Sequence, residues 1–378
     1  MAEKQFRSIV KELWKSGPGK AGVILLGILI LTSLIVVVTY PRNFGSDYWA
    51  NPGYWADNPK SAPPVWAGIF RNEKGPRHVI LDMQEPAVEE STGRAFRRIY
   101  RSTFEITSGE APSFLSISVS TVEYSRRPPI LSSVLIRPDG TELVLSREVV
   151  SGPRKSEESP YARYENEPLR IAVSSEDRVL DGLLEILISA DGGKSSRTDI
   201  EKSLESAIFS ELLDDGSFSI LKGEYTFELR VLFESEKDHL ESARFVLGGA
   251  AYGAMGTDAL GRNLAVGLLY GLPVALLIGV ATATISTIIG MSLGMMSGYS
   301  GGWVDLLIQR AADIVANIPV LPLLIFLVFI GGSKLWLILL VLIAFSWPGL
   351  TIMVRTMVLQ LRTGLEVESA KALGASSF

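Results

Sequence analysis

The sequence predicts a polytopic α-helical membrane protein carrying an inserted β-rich domain. Three observations predict it. Four long runs carry no charge: 21–40, 263–304, 314–333 and 335–354. The stretch 41–261 holds 25 basic and 35 acidic residues, a net charge of −10. Within that stretch, apolar residues alternate with polar ones at period two, the pattern of half-buried strands. A mean hydropathy of +0.27 is high for a soluble protein that is 20% charged, and the average hides this mixture of two kinds of segment.

The first 20 residues place Lys4, Arg7, Lys11, Lys15 and Lys20 among Phe6, Ile9, Val10, Leu13 and Trp14. This spacing predicts a basic amphipathic helix over 1–20 at the cytoplasmic face. Residues 21–40 follow without a charge, long enough as a helix to cross about 30 Å of hydrocarbon. The basic flank keeps its N-terminus inside. Thr39-Tyr40-Pro41-Arg42 offers no small-residue cleavage site, so the run reads as an uncleaved first span.

An outer linker over 41–76 is rich in Pro, Asn, Gly, Trp and Tyr. Two roles stand open for Trp49, Tyr54, Trp55 and Trp66: an interfacial belt, or packing beneath an irregular linker.

Residues 77–250 form the inserted domain, expected on the extracytoplasmic side. Strands are expected at 78–83, 114–124, 130–137 and 222–233, the last with Tyr225, Phe227, Leu229 and Val231 on one face. Pro138-Asp139-Gly140 is a hairpin turn between Val134–Ile136 and Leu143–Leu145. Thr198 to Leu213 has a helical pattern on Ile200, Leu204, Ile208 and Leu212. A sandwich-like β domain with an inserted helix is the expected fold.

Chemistry is sparse. There is no cysteine, so neither a disulfide framework nor a thiolate site exists. His78 and His239, the only histidines, stand outside any metal-spaced cluster and read as ordinary surface or strand residues. The domain's acidity argues against nucleic acid as a partner. Gly192-Gly193-Lys194-Ser195-Ser196 resembles the end of a phosphate-binding loop, but Ile188 stands where its first glycine is required. No catalytic residue, metal, cofactor or ATP site is expected.

The C-terminal helical core spans 256–378, with helices expected at 274–297, 306–330 and 335–358. Gly271 and Pro273 divide the second uncharged run, leaving Leu260–Tyr270 as an amphipathic or interfacial helix. Ala275, Gly279, Ala281, Ala283, Ser286, Gly290 and Gly294 then let helices approach closely in lipid. Pro319, Pro322 and Pro348 predict kinks, and freed carbonyls there need protein or a wet cavity as partner. Thr257 or Asp258 is placed to cap a helix starting near Ala259, with gating of an outer mouth as the functional alternative. Four crossings from an inside N-terminus leave residues 364–378 in the cytoplasm. There Glu368-Ser369-Ala370 is followed by Gly374, the spacing E-x-A-x-x-x-G in a helix-prone run.

Five motifs occur in order: Gly256-Thr257-Asp258-Ala259-Leu260-Gly261-Arg262, Gly298 to Asp305, Asp313 with Pro319, Trp347-Pro348-Gly349 with Arg355, and Glu368 to Gly374. In this order they closely resemble the DppC/OppC-type permease subunit of dipeptide, oligopeptide and nickel ABC importers. The resemblance implies the type I ABC importer permease fold in a cell (plasma or inner) membrane. It implies four kinds of partner: a second permease subunit, cytoplasmic ATPase subunits, an extracytoplasmic solute-binding protein and the lipid bilayer. Residues Glu368, Ala370 and Gly374 match the EAA loop that couples to the ATPase; Ser369 replaces its usual alanine. The family's connection after the first span is generally short, whereas here it holds a whole domain. The family's loop runs on into two more spans, so the fold is expected to be truncated. Two other classes compete: a membrane-anchored receptor or scaffold acting through its acidic domain, and a secondary transporter or channel. A secondary transporter usually keeps an ionisable residue deep in a span, and these uncharged runs are clean.

Overall fold

The computed structural model describes residues 13–70, 75–93, 95–154, 157–173, 183, 204–212, 218–332 and 334–374. The chain forms two units, one of residues 42–268 and the other of 1–41 with 269–378.

In the first unit two antiparallel five-stranded sheets pack face to face. One contains β1 (Val79–Met83), β4 (Leu115–Tyr124), β7 (Tyr161–Arg163), β8 (Leu169–Ala172) and β12 (His239–Leu247). Its order is β1-β12-β4-β7, with β8 also pairing β4. The other runs β2 (Val88–Thr92), β3 (Ala95–Ile106), β11 (Gly223–Phe233), β5 (Ile130–Ile136) and β6 (Glu142–Val149). The first and last strands are neighbours, with Val79 opposite Leu247. Tyr225, Phe227, Leu229 and Val231 share the buried face of β11, as their spacing predicts. Phe227 stacks on Phe245 of the facing sheet, ring centroids 4.1 Å apart. On the opposite face Glu228 is covered by Arg101 and Arg230, which fork onto its two oxygens at 2.7–2.9 Å.

The Pro138-Asp139-Gly140 turn joins β5 to β6, with Gly140 at φ +82° and Asp139 Oδ1 accepting from the Thr141 N–H. The helix expected over Thr198–Leu213 is corrected. Among its described residues, 204–212, only Leu204–Phe209 (α2) is helical; 198–203 and 213 lie outside the described residues. Ser210–Leu212 (β9) pairs instead with Phe218–Ile220 (β10). Local periodicity loses there to a ladder with a partner strand. The glycine-lysine-serine stretch 192–196 and the basic segment 1–12 also lie outside the described residues.

The second unit is helical. Gly17–Thr39 (α1) is capped by Ser16, whose Oγ accepts from the Gly19 N–H. Leu264–Ser300 (α3) is one helix of 37 residues, so the division at Gly271 and Pro273 into an interfacial helix and a span is corrected. Proline is tolerated inside an apolar helix because neighbours re-satisfy the one freed carbonyl. The single helix expected over 306–330 is also corrected. Gly302–Asn317 (α4) and Val320–Gly331 (α5) meet at a 74° bend on Ile318 and Pro319. Pro322 lies in the first turn of α5, where no intrahelical N–H is needed. Leu335–Ser346 (α6) and Pro348–Arg362 (α7) run on with Trp347 between them, and Pro348 opens α7. Among the described residues three helical stretches are long and apolar enough to cross a membrane, or four if the bent pair is one span.

Candidate functional site

The helical unit is knit together by a stripe on α3. Ser286, Gly290, Gly294, Ser297 and Gly298 are its buried residues, mostly four apart and so on one face. Residues of α7 lie directly against it. A β-carbon placed at Gly294 would stand 2.7 Å from Val354 Cβ, and one at Gly298 2.7 Å from Val358 Cβ. Only a hydrogen fits at either position. The close approach brings the Thr351 hydroxyl to 3.2 Å from the Gly290 carbonyl, also within reach of the Trp347 carbonyl at 3.1 Å.

At the end of this stripe sits a polar clamp. Gly301 and Gly302 adopt φ of +68° and +58°, a left-handed pair that turns the chain from α3 into α4. The turn sets Asp305 in the first turn of α4, where the positive helix end favours a carboxylate. Arg355 of α7 grips it with both prongs, Nε to Oδ1 at 2.5 Å and Nη2 to Oδ2 at 2.6 Å. Ser297 Oγ donates to Oδ1 at 2.5 Å, and Gln309 Nε2 donates to Ser297 Oγ at 3.0 Å. Bidentate charged pairs of this kind fix orientation as well as distance. Three helices are thereby tied at one level. Nothing in the sequence around Asp305 or Arg355 pairs the two. The available signal was that each follows an apolar run on the same expected side.

After α7 the chain turns at Thr363 and Gly364 into Leu365–Ala372 (α8), which carries Glu368 and Ala370. Gly374 has φ +87°, so the chain does leave this helix through a left-handed residue. Leu365 and Leu373 are exposed apolar side chains at the two ends of the segment.

The Gly256–Arg262 motif belongs to the other unit and is not the helix cap expected of it. No helix starts near Ala259. The first helical residue is Leu264, preceded by Asn263, whose Oδ1 accepts from the Ala265 N–H. Asp258 instead folds the motif on itself. Its Oδ1 accepts from the Leu260 and Arg262 N–H groups at 2.9 Å, and Oδ2 meets Arg262 Nε at 2.7 Å. Burial pushes this carboxyl up, but the Arg262 and Leu260 hydrogen bonds outweigh it and hold the pKa below the usual aspartate value. Thr257 Oγ1 accepts from the Ala62 N–H and donates to the Pro59 carbonyl. Gly256 has φ +79°, and a β-carbon there would stand 2.3 Å from the Ala62 carbonyl oxygen. Gly261 has the same φ and passes close to the Trp55 carbonyl. The Arg262 guanidinium lies 4.5 Å from the centroid of the Trp49 ring. The motif's chemistry is thus used to strap the linker to the approach to α3. The same strap settles the role of Trp55, which is buried, its Nε1 donating to the Tyr48 carbonyl.

The stripe, the turn, the clamp and α8 occupy one continuous segment, and residues 290–378 match one known family. That family is the binding-protein-dependent transport system inner membrane component. The chain is similar to the dipeptide transport system permease protein DppC of Lactococcus lactis subsp. cremoris, 36% identical over 123 residues, covering 32% of this chain and 36% of that one. It is 39% identical over 123 residues to the oligopeptide transport system permease protein OppC of Haemophilus influenzae, covering 32% and 40%. It is 33% identical over 124 residues to the peptidoglycan transport system permease protein YejE of Agrobacterium fabrum, covering 33% and 32%. The chain thus spans about a third of the length of the curated relatives it matches. The resemblance read from the motifs is borne out over this inner membrane component. Its matched residues include Asp305, Pro319, Pro322, Pro348, Arg355, Glu368, Ala370 and Gly374, whereas the Gly256–Arg262 motif precedes them.

Proposed function

We propose that this chain is a transmembrane permease subunit of an ABC importer that forms part of the pathway for peptides or a similar small solute. The observation that carries the reading is the succession, within the family-matched segment, of a close-packed helix pair, the Asp305–Arg355 clamp and a short helix ended by left-handed Gly374. The clamp gives that succession a mechanical meaning. A force applied at α8 passes to α7, and through Arg355 and Asp305 to the α3–α4 turn. Coupling of two distant sites needs such an element, one whose arrangement both sites bias.

On this reading separate ATPase subunits hold and hydrolyse ATP, and the helix bearing Glu368, Ala370 and Gly374 docks on them from the cytoplasmic side. A second permease subunit completes the pathway, and a solute-binding protein delivers to it from outside. The N-terminus lies in the cytoplasm and the β sandwich outside. The type I permease fold is supported by the family match together with the apolar helices.

The test is co-purification of the tagged full chain with co-expressed ATPase subunits, with Glu368→Lys, Ala370→Trp and Gly374→Val made separately. Association with the parent chain and its loss in the variants is expected. Normal association and solute-stimulated ATP hydrolysis in all three would refute the coupling role.

A further inference from the structure

Residues Val65–Phe70, Val-Trp-Ala-Gly-Ile-Phe, form a short 3₁₀ turn in the linker of the β-domain unit. Burial does not explain their composition. Val65 is 61% exposed, Trp66 57%, Ile69 80% and Phe70 82%. Four large apolar side chains on one six-residue turn make a patch of the kind that marks an interaction site.

The turn is held in place rather than loose. The Val65 N–H donates to the Gly253 carbonyl at 3.0 Å, and Trp66 Nε1 donates to the Ala254 carbonyl at 2.9 Å. Just before it, Tyr252 N–H bonds the Pro63 carbonyl and Thr257 N–H the Ala62 carbonyl, both at 2.9 Å. The segment that receives these bonds, 252–257, leads straight into α3, whose Leu264 N–H bonds the Gly256 carbonyl. Met255, Leu260, Leu264 and Leu268, along that lead and the first turn of α3, are exposed apolar side chains as well. The turn is thus bonded to the segment that leads into a helix apolar enough to cross a membrane.

We infer that Val65–Phe70 seats in the lipid–water interface where α3 enters the bilayer, as an in-plane anchor for the inserted domain. The inference rests on the reading of this chain as a membrane-spanning permease subunit. Its sequence has the chemistry of such an anchor. No charge occurs from Ser61 to Phe70, and Lys60 and Arg71 bracket that stretch with positive charge suited to lipid phosphates. Tryptophan favours this depth because its ring is apolar and its N–H polar. A protein partner would need polar groups to pair with at the rim. Among the four exposed side chains the one such group, the Trp66 N–H, is already bonded to Ala254.

The chain has no cysteine, so single spin labels are clean. Phe70→Cys, and independently Ile69→Cys, are labelled in the full chain and reconstituted into phosphatidylethanolamine–phosphatidylglycerol vesicles. Leu34→Cys in α1 serves as the lipid reference and Val149→Cys on β6 as the aqueous one. Relaxation by oxygen is compared with relaxation by a water-soluble nickel chelate. The oxygen-to-nickel accessibility ratio at 70 or 69 is expected to be several-fold above that at 149 and to approach that at 34. A ratio at both positions equal to that at 149 overturns the inference while leaving the permease reading intact. Labels at both positions shielded from both reagents mean a protein cover and overturn it equally. A water-like ratio at 34 overturns the membrane reading and this inference together.

Discussion

Replacing Gly294 by alanine adds one methyl group at one of the two tightest points of the α3–α7 contact. The added carbon would stand 2.7 Å from Val354 Cβ and 2.8 Å from the Thr351 carbonyl oxygen. Carbon atoms rest at about 3.5–4.0 Å, so the two helices must move apart by roughly 1 Å. Overpacking of this kind costs about 1–3 kcal/mol. Separation also stretches the Thr351 hydroxyl away from the Gly290 carbonyl, an interhelical bond worth about 0.6 kcal/mol in a membrane bundle. The matched control is Gly279→Ala on the same helix, where an added β-carbon has nothing within 4 Å. Alanine there gains about 1 kcal/mol of helix propensity. Gly294→Ala gains the same propensity, so that contribution cancels, and overpacking with the weakened interhelical bond should separate the two variants by roughly 1.5–3.5 kcal/mol. The assay is unfolding of the full chain in mixed micelles by sodium dodecyl sulfate, followed by helical circular dichroism. Gly294→Ala should unfold at a lower detergent fraction than the parent, and Gly279→Ala at an equal or higher one. Coincident curves for the two variants would refute close packing of the stripe.

Asp305→Asn keeps the side-chain shape but removes the charge gripped by Arg355; a loss of about 1.5–3 kcal/mol is expected in the same titration. Arg355→Lys should also destabilise, because one ammonium cannot reproduce the two-pronged grip. Phe227→Ala removes the ring stacked on Phe245 and should cost about 3–5 kcal/mol, read as a lower thermal midpoint in the β-sheet dichroism signal. Burial pulls the His78 pKa below 6.5, so the folded state holds this ring neutral. Its unfolded form binds a proton first as pH falls, so stability is full above about pH 6.5 and declines below it towards the folded pKa. His78→Phe should flatten that part of the thermal midpoint's pH profile, and an unchanged slope would show that another group is responsible.

Much of the β domain was legible because its signals are local. The alternation of Tyr225, Phe227, Leu229 and Val231 and the Pro138-Asp139-Gly140 turn each specify their conformation within a few residues. What escaped depends on residues far apart in the chain. Leu212 keeps a helical rhythm with Ile208, yet pairs as a strand with Phe218. Asp258 has the chemistry of a cap, but Arg262 four residues on captures it first. Asp305 and Arg355 lie fifty residues apart, and nothing in either neighbourhood specifies the other. At Gly271 and Pro273 local rules favour a break, and the helix continues regardless. The glycine and serine spacing on α3 announced close packing but not its partner, which is α7.

The pairing of β1 with β12 has a consequence for how such a chain folds. Residues opposite each other in an antiparallel ladder lie about 5 Å apart, so the sandwich begins and ends at nearly one point. The Ala250 N–H even bonds the Pro76 carbonyl just outside that pair. An unstructured connection of this length would keep its two ends apart on average, and closing it carries an entropic penalty that grows with its logarithm. Once the sandwich has formed, that penalty has been met by the domain's own core, and the flanking segments experience the insert as though it were a tight turn. A large domain can thus interrupt a membrane protein at this position without loosening the tether between the elements on either side.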